Sequence, residues 1–159
     1  MKKLLLIRHA KATHESGYSD FERPLTDKGF KQCELMAARL IAAGIKPGMM
    51  MASPALRTLS TANVFSQVLG LQQAITNKDI YDASENTLLK VISELPNDKD
   101  YVAIVGHNPG ISQVLYYLSG AIKEVPPCAV ALIEFDADSW QELFEGSGKL
   151  VHYDTPNKA

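Results

Sequence analysis

The strongest constraint on this chain is a set of short apolar runs that do not alternate, at residues 3–7, 49–52 and 101–105. A half-buried strand alternates apolar and polar residues. A strand covered on both faces does not, and such strands belong to parallel sheets held between helical layers. Each run is followed by a turn or loop and then a segment of helical period. The clearest of these is 27–43, where Cys33, Met36, Ala37, Leu40 and Ile41 fall at i, i+3, i+4, i+7 and i+8 and make one stripe. Thr26 is placed to cap that helix and Gly44 to stop it. Further helices are expected over 55–69 and 85–95, and from the 106–110 turn to Leu118. Strands are expected over 130–135 and, at an edge, 150–153. This order predicts an α/β fold, a three-layer α/β/α sandwich around a mostly parallel central sheet. With 159 residues the chain has room for one domain, 1–159, and none for a cap domain.

The formal net charge of −2 sets up no basic field for nucleic acid or an anionic membrane surface. The two cysteines, Cys33 and Cys128, allow one bridge at most, and a reduced thiol pair is the expectation. Lys2 and Lys3, the run Leu4 to Ile7 and the later Ala10-Lys11-Ala12 imitate a secretory leader. The apolar run has only four residues, where a leader needs about 7–15, and Arg8 and His9 interrupt it. A cytoplasmic protein with no membrane partner is expected, and nothing in the sequence obliges oligomerisation, so a monomer is favoured.

In open α/β sheets, ligands bind beyond the carboxyl ends of the strands. The first run exits into Arg8-His9-Ala10, the second into Ser53-Pro54-Ala55-Leu56-Arg57, the third into Gly106-His107-Asn108. Two arginines and two histidines should therefore meet at one sheet edge. Arg57 falls in the first turn of its helix, where free N–H groups favour an anion. The constellation reads as an oxyanion pocket suited to phosphoryl transfer. A neutral imidazole attacks phosphorus without a separate base, and guanidinium groups neutralise the non-bridging oxygens. A metal site on His9, His107 and Asp82 is the competing reading. Two arginines beside a cation argue against it, and no metal or other cofactor is expected.

A second phosphatase signature is a decoy. Cys33 and Arg39 match C-x5-R, but the intervening residues are strong helix formers without glycine. Their N–H groups belong to i−4 carbonyls rather than to a phosphate-binding loop.

Leu6-Ile7-Arg8-His9-Ala10, Ser53-Pro54-Ala55-Leu56-Arg57-Thr58 and Val105-Gly106-His107-Asn108-Pro109 resemble, in order, the three motifs of the histidine phosphatase (phosphoglycerate mutase-like) superfamily. The shortness of the chain, Arg8 to Ala12, and Arg23-Pro24-Leu25-Thr26 with Gly29 resemble its SixA-type phosphohistidine phosphatases. The resemblance implies that His9 is the nucleophile and that Arg8, Arg57 and His107 bind the phosphoryl group. Asn108 and Arg23 are candidate substrate contacts, Arg23 alternatively pairing with Asp20 or Glu22. Larger members carry a glutamate as proton donor where this chain offers Asp82 and, less well placed, Glu85. The plainer role for Asp82 is to start a helix. A weak acid suits phosphohistidine, whose ring can leave already protonated near neutral pH.

The expected substrate is a phosphorylated protein, a phosphocarrier or phosphorelay component. The alternatives are a phosphomonoesterase for small phosphate esters and a non-catalytic phosphate-binding module. The sequence assigns no role to residues 123–128.

Overall fold

The computed structural model describes residues 1–157. One six-stranded sheet runs through it: β1 (Lys2–Arg8), β2 (Met49–Ala52), β3 (Ile75–Thr76), β4 (Tyr101–Gly106), β5 (Val130–Phe135) and β6 (Gly148–Asp154), in the order β3-β2-β4-β1-β5-β6. The pairs β3–β2, β2–β4 and β4–β1 are parallel; β5 is antiparallel to both β1 and β6. β5 is thus the one reversed strand, and the sheet is mostly parallel, as the apolar runs imply.

Four helices cover the sheet: α1 (Asp27–Ala42), α2 (Leu56–Leu69), α3 (Glu85–Ser93) and α4 (Gly110–Ser119). Alternate residues of β1 explain why its sequence shows no alternation. Leu4 and Leu6 pack with Leu88 and Val91 of α3 and Ile111 and Val114 of α4. Leu5 and Ile7 pack with Met36 and Leu40 of α1 and Ala62 and Phe65 of α2. Both faces of the strand are core, and the result is the three-layer sandwich. Every one of those side chains is at most 3% exposed, and each one larger than Ala62 contributes roughly 1.5–3 kcal/mol of burial.

Local signals mostly hold. Thr26 caps α1, its hydroxyl accepting from Gly29 N–H, a contact generally contributing about 1 kcal/mol. α2 stops at Gly70. Ile41 is a correction: at 54% exposed it lies outside the core, because it sits some 80° around α1 from Cys33. α3 ends at Ser93, two residues before the expected end. β6 is seven residues long rather than four. The pair Ile75–Thr76 adds an edge strand that its two exposed residues did not announce. Lys2 is strand: its ammonium is buried against Asp100, at 2.7 Å, and the Asn97 carbonyl. Among the described residues, no helix is long and apolar enough to cross a membrane.

Candidate active site

β1 lies near the middle of the sheet, so its exit is flanked on both sides. Arg8 is its last residue and His9 follows. The His9 backbone N–H donates to Gly106 of β4, while its carbonyl accepts from Cys128 ahead of β5. The next residue, Ala10, donates to Thr61 Oγ1 of α2 at 3.0 Å. The His9 ring is fixed as well: Nδ1 donates to the Ala10 carbonyl at 2.8 Å. That bond assigns the tautomer and leaves Nε2 unprotonated, with no protein partner among the described residues.

His107 emerges from β4 beside it, the two ring centroids 5.4 Å apart. Its Nδ1 accepts from Arg57 Nη2 at 3.3 Å, and its Nε2 donates to Ser53 Oγ at 2.9 Å. Arg57 also holds the Asp20 carbonyl at 2.6 Å and carboxylate at 3.1 Å. Arg8 donates through Nη1 to the Val125 carbonyl at 3.1 Å. The Nε of each arginine is buried without a partner. An orphaned donor costs about 1–3 kcal/mol, and these two belong to residues lining one cavity. Arg8, His9, Arg57 and His107 share that cavity of about 470 Å³ with Arg23, Asp82 and Asn108. Two guanidinium groups with donors to spare and one unprotonated ring nitrogen can bind an oxyanion and attack it.

Burial, assisted by His107, Arg57 and Arg8, lowers the His9 pKa to about 3, against the opposing bond to Ala10. Burial, then the Arg57 charge, lowers His107 to about 4. Both rings are therefore neutral near pH 7. In the unfolded chain each would take up a proton near 6.5. Between those values the unfolded state binds more protons, so stability falls as pH drops below about 6.5, by up to ~1.4 kcal/mol per pH unit for each ring. Urea unfolding at pH 7 and pH 5 should show a clearly lower midpoint at pH 5. Equal midpoints would contradict the burial of neutral histidines.

The structure distributes the remaining predicted residues unevenly. Arg23 pairs with Asp20 at 3.0 Å, the alternative role expected of it, and lines the cavity, while its Nε donates to the Thr13 carbonyl. Asp82 lines the cavity, has a left-handed backbone (φ 50°) and makes no side-chain hydrogen bond among the described residues. It does not start α3. Ser84 does, accepting from Thr87 N–H. Gly110 fixes this corner, since a Cβ there would meet the Ala83 carbonyl at 2.5 Å. Glu85 lies in the first turn of α3 and faces depressions beside Tyr116, away from the cavity.

Asn108 borders the cavity but its amide is engaged. Oδ1 accepts from Ser112 N–H, and Nδ2 donates to the carbonyls of Glu124 and Val125. The 123–128 segment thereby acquires a role. The Val125 carbonyl anchors both Arg8 and Asn108, and Cys128 N–H ties the backbone of Arg8 and His9. Val125 adopts φ 50°, a costly state for a β-branched residue.

Sequence reasoning missed the hub formed by Asp20. Its carboxylate accepts from Arg23, Arg57 and Tyr81, the last at 2.6 Å. The Tyr81 bond, followed by those arginines, holds the Asp20 carboxyl far below the usual range. Tyr81 in turn stands edge-on to the His107 ring, 5.6 Å between centroids.

The decoy is resolved by position. Cys33 is fully buried in α1, and Arg39 bonds the Asp154 carboxylate and the Thr155 carbonyl. Both cysteines are free and buried. Among the described residues, no group of three His, Cys, Asp or Glu side chains is placed to hold a metal ion.

An α/β sheet whose carboxyl edge gathers two arginines and two neutral histidines defines a hydrolase of phosphoryl groups. Residues 4–84 match the histidine phosphatase superfamily (branch 1), and the chain belongs to that family and is a phosphatase. It is 29% identical to an uncharacterised chloroplastic protein of Arabidopsis thaliana, over 92% of this chain and 72% of that one. The fold is shared with the protein histidine phosphatase SixA complexed with tungstate (TM-score 0.83, 22% identity, 97% of each chain). It is shared also with a mycobacterial glucosyl-3-phosphoglycerate phosphatase (TM-score 0.71, 13% identity, 98% of this chain and 100% of that one).

Proposed function

We propose that this single domain, residues 1–159, is a phosphohistidine phosphatase that acts on proteins, similar to SixA, through a covalent phosphohistidine on His9. The observation that carries the reading is the His9 ring, held by Nδ1 and open at Nε2 between Arg8, Arg57 and His107. His9 Nε2 attacks phosphorus as the bond from phosphorus to the substrate imidazole breaks. The departing ring keeps its own proton and leaves neutral. Water then attacks the phosphoenzyme, releasing phosphate and restoring His9. Arg8 and Arg57 neutralise the non-bridging oxygens in both steps, and the Ala10 carbonyl disperses the charge that develops on the His9 ring. Free thiols at Cys33 and Cys128 agree with a reducing, cytoplasmic setting.

A second reading rests on Asp82. Its carboxylate lies in the cavity without a hydrogen bond among the described residues, where it can protonate an alcohol leaving group. That would suit small phosphate esters. Initial rates on a phosphohistidine protein and on a panel of sugar and nucleotide phosphates separate the two. The proposal expects kcat/KM to favour the phosphohistidine protein, with Asp82→Asn costing little on it. A preference for the esters, with a loss of about 10²-fold or more in Asp82→Asn, would establish the second reading instead.

A further inference from the structure

The cavity carries more positive charge than a single phosphoryl group uses. Arg8, Lys11, Arg23, Lys28 and Arg57 line it against one acid among the described residues, Asp82, on a chain whose net charge is −2. Arg8 and Arg57 stand beside His9, and Arg23 is paired with Asp20. Lys11 and Lys28 remain, and neither ammonium has an ion-pair partner among the described residues.

The wall that presents them is built rather than incidental. Lys11 N–H donates to Gln32 Oε1 at 3.0 Å, and the Lys11 carbonyl accepts from the Thr26 N–H at 3.0 Å and from the Thr26 hydroxyl. Gly29 lies so close that a Cβ there would overlap the Lys11 carbonyl. These contacts press the segment after His9 onto the first turn of α1 and bring Lys11 and Lys28 to one side of the cavity. Unpaired charges of one sign in a concave site focus the field and recruit an anion.

Resting on the phosphohistidine-protein reading above, we infer that Lys11 and Lys28 form a second anion subsite, which takes the carboxylate of an acidic side chain next to the phosphohistidine. Substrate choice then has two parts. The His9 pocket reads the phosphoryl group, and the α1 wall reads the acidity of the segment that carries it.

The test uses two peptides that carry a non-hydrolysable phosphonate-triazole in place of phosphohistidine, one flanked by aspartates and glutamates and one by serines and glutamines. Binding is measured by calorimetry to the full chain and to the double variant K11Q/K28Q. Two solvent-exposed charge pairs should together make the acidic peptide bind about fivefold tighter to the wild type. That ratio should fall to about one in the double variant, and in the wild type at about 0.5 M salt, where the Debye length is a few ångströms. Equal binding of the two peptides by the wild type overturns the inference, as does a preference that survives in the double variant. The functional reading fails separately: it fails if genuine phosphohistidine peptides bind but are not turned over. Because binding is read without turnover, the two failures are distinguishable.

Discussion

Replacing His9 with alanine is expected to remove turnover by at least about 10³-fold and to abolish every trace of a covalent phosphoenzyme. The expectation follows from the absence of a substitute. The other ring in the pocket, His107, has Nδ1 committed to Arg57 and Nε2 to Ser53. Both thiols are fully buried, Cys33 in α1 and Cys128 ahead of β5. The fold should survive, since the His9 side chain makes one hydrogen bond among the described residues, to its own neighbour Ala10. A rapid quench after mixing with labelled substrate should capture an acid-labile, alkali-stable adduct in the wild type and in Cys33→Ser, and none in His9→Ala. Label retained in His9→Ala, or lost in Cys33→Ser, would overturn the assignment of the nucleophile.

Arg57→Ala is expected to cost about 10²–10³-fold in kcat/KM, the range for removing one preorganised electrostatic contact to a reacting group. Three losses coincide. The guanidinium no longer faces the phosphoryl oxygens, His107 loses the donor that orients it, and the Asp20 carboxylate is left to repel an incoming phosphoryl group. Arg57→Lys should recover only part, staying at least about tenfold below wild type. A single ammonium cannot reach the Asp20 carbonyl, the Asp20 carboxylate and His107 together. A second readout separates electrostatics from mere structure. The Arg57 charge lowers the pKa of both His9 and His107, so in Arg57→Ala both should titrate closer to 6.5 by nuclear magnetic resonance. A variant with kcat/KM within threefold of wild type and unmoved histidine titrations would remove Arg57 from the proposed mechanism.

What the sequence discloses here is what side chains in regular elements disclose. Leu4 to Ile7 announce a doubly covered strand because both faces must be apolar, and Cys33 to Leu40 announce a helix by their period. The strand exits announce the pocket because Arg8, His9, Arg57 and His107 all sit where parallel strands end. Asp20 disclosed only its local pairing with Arg23. It opens a single 3₁₀ turn in the loop after β1, and its other partners, Arg57 and Tyr81, lie 37 and 61 residues away. The 123–128 segment stayed silent because it acts through the Glu124 and Val125 carbonyls, and a carbonyl is the same in every residue. For Asp82, the expectation of a helix-starting acid failed because Ser84, two residues on, competes for the same backbone N–H groups and wins.

The reversal of β5 matters beyond topology. Because it runs against β1, its first residue, Val130, lies level with Ile7, at the edge where the parallel strands finish. One side of the pocket is therefore supplied by chain on its way into the sheet; between Gly120, where α4 ends, and β5 it is pinned at residues 124–128, through the Glu124 and Val125 carbonyls and the Cys128 N–H, but not at residue 122 ahead of those ties. Its outermost point, Ile122, is 84% exposed. Residues added there would shift no strand register and uncover no core. The scaffold thus separates two inheritances: the reacting groups are welded to the sheet, whereas the height of the wall around them is an independent length. The same chemistry could be roofed over for a small molecule or left open for a protein by editing that single connection.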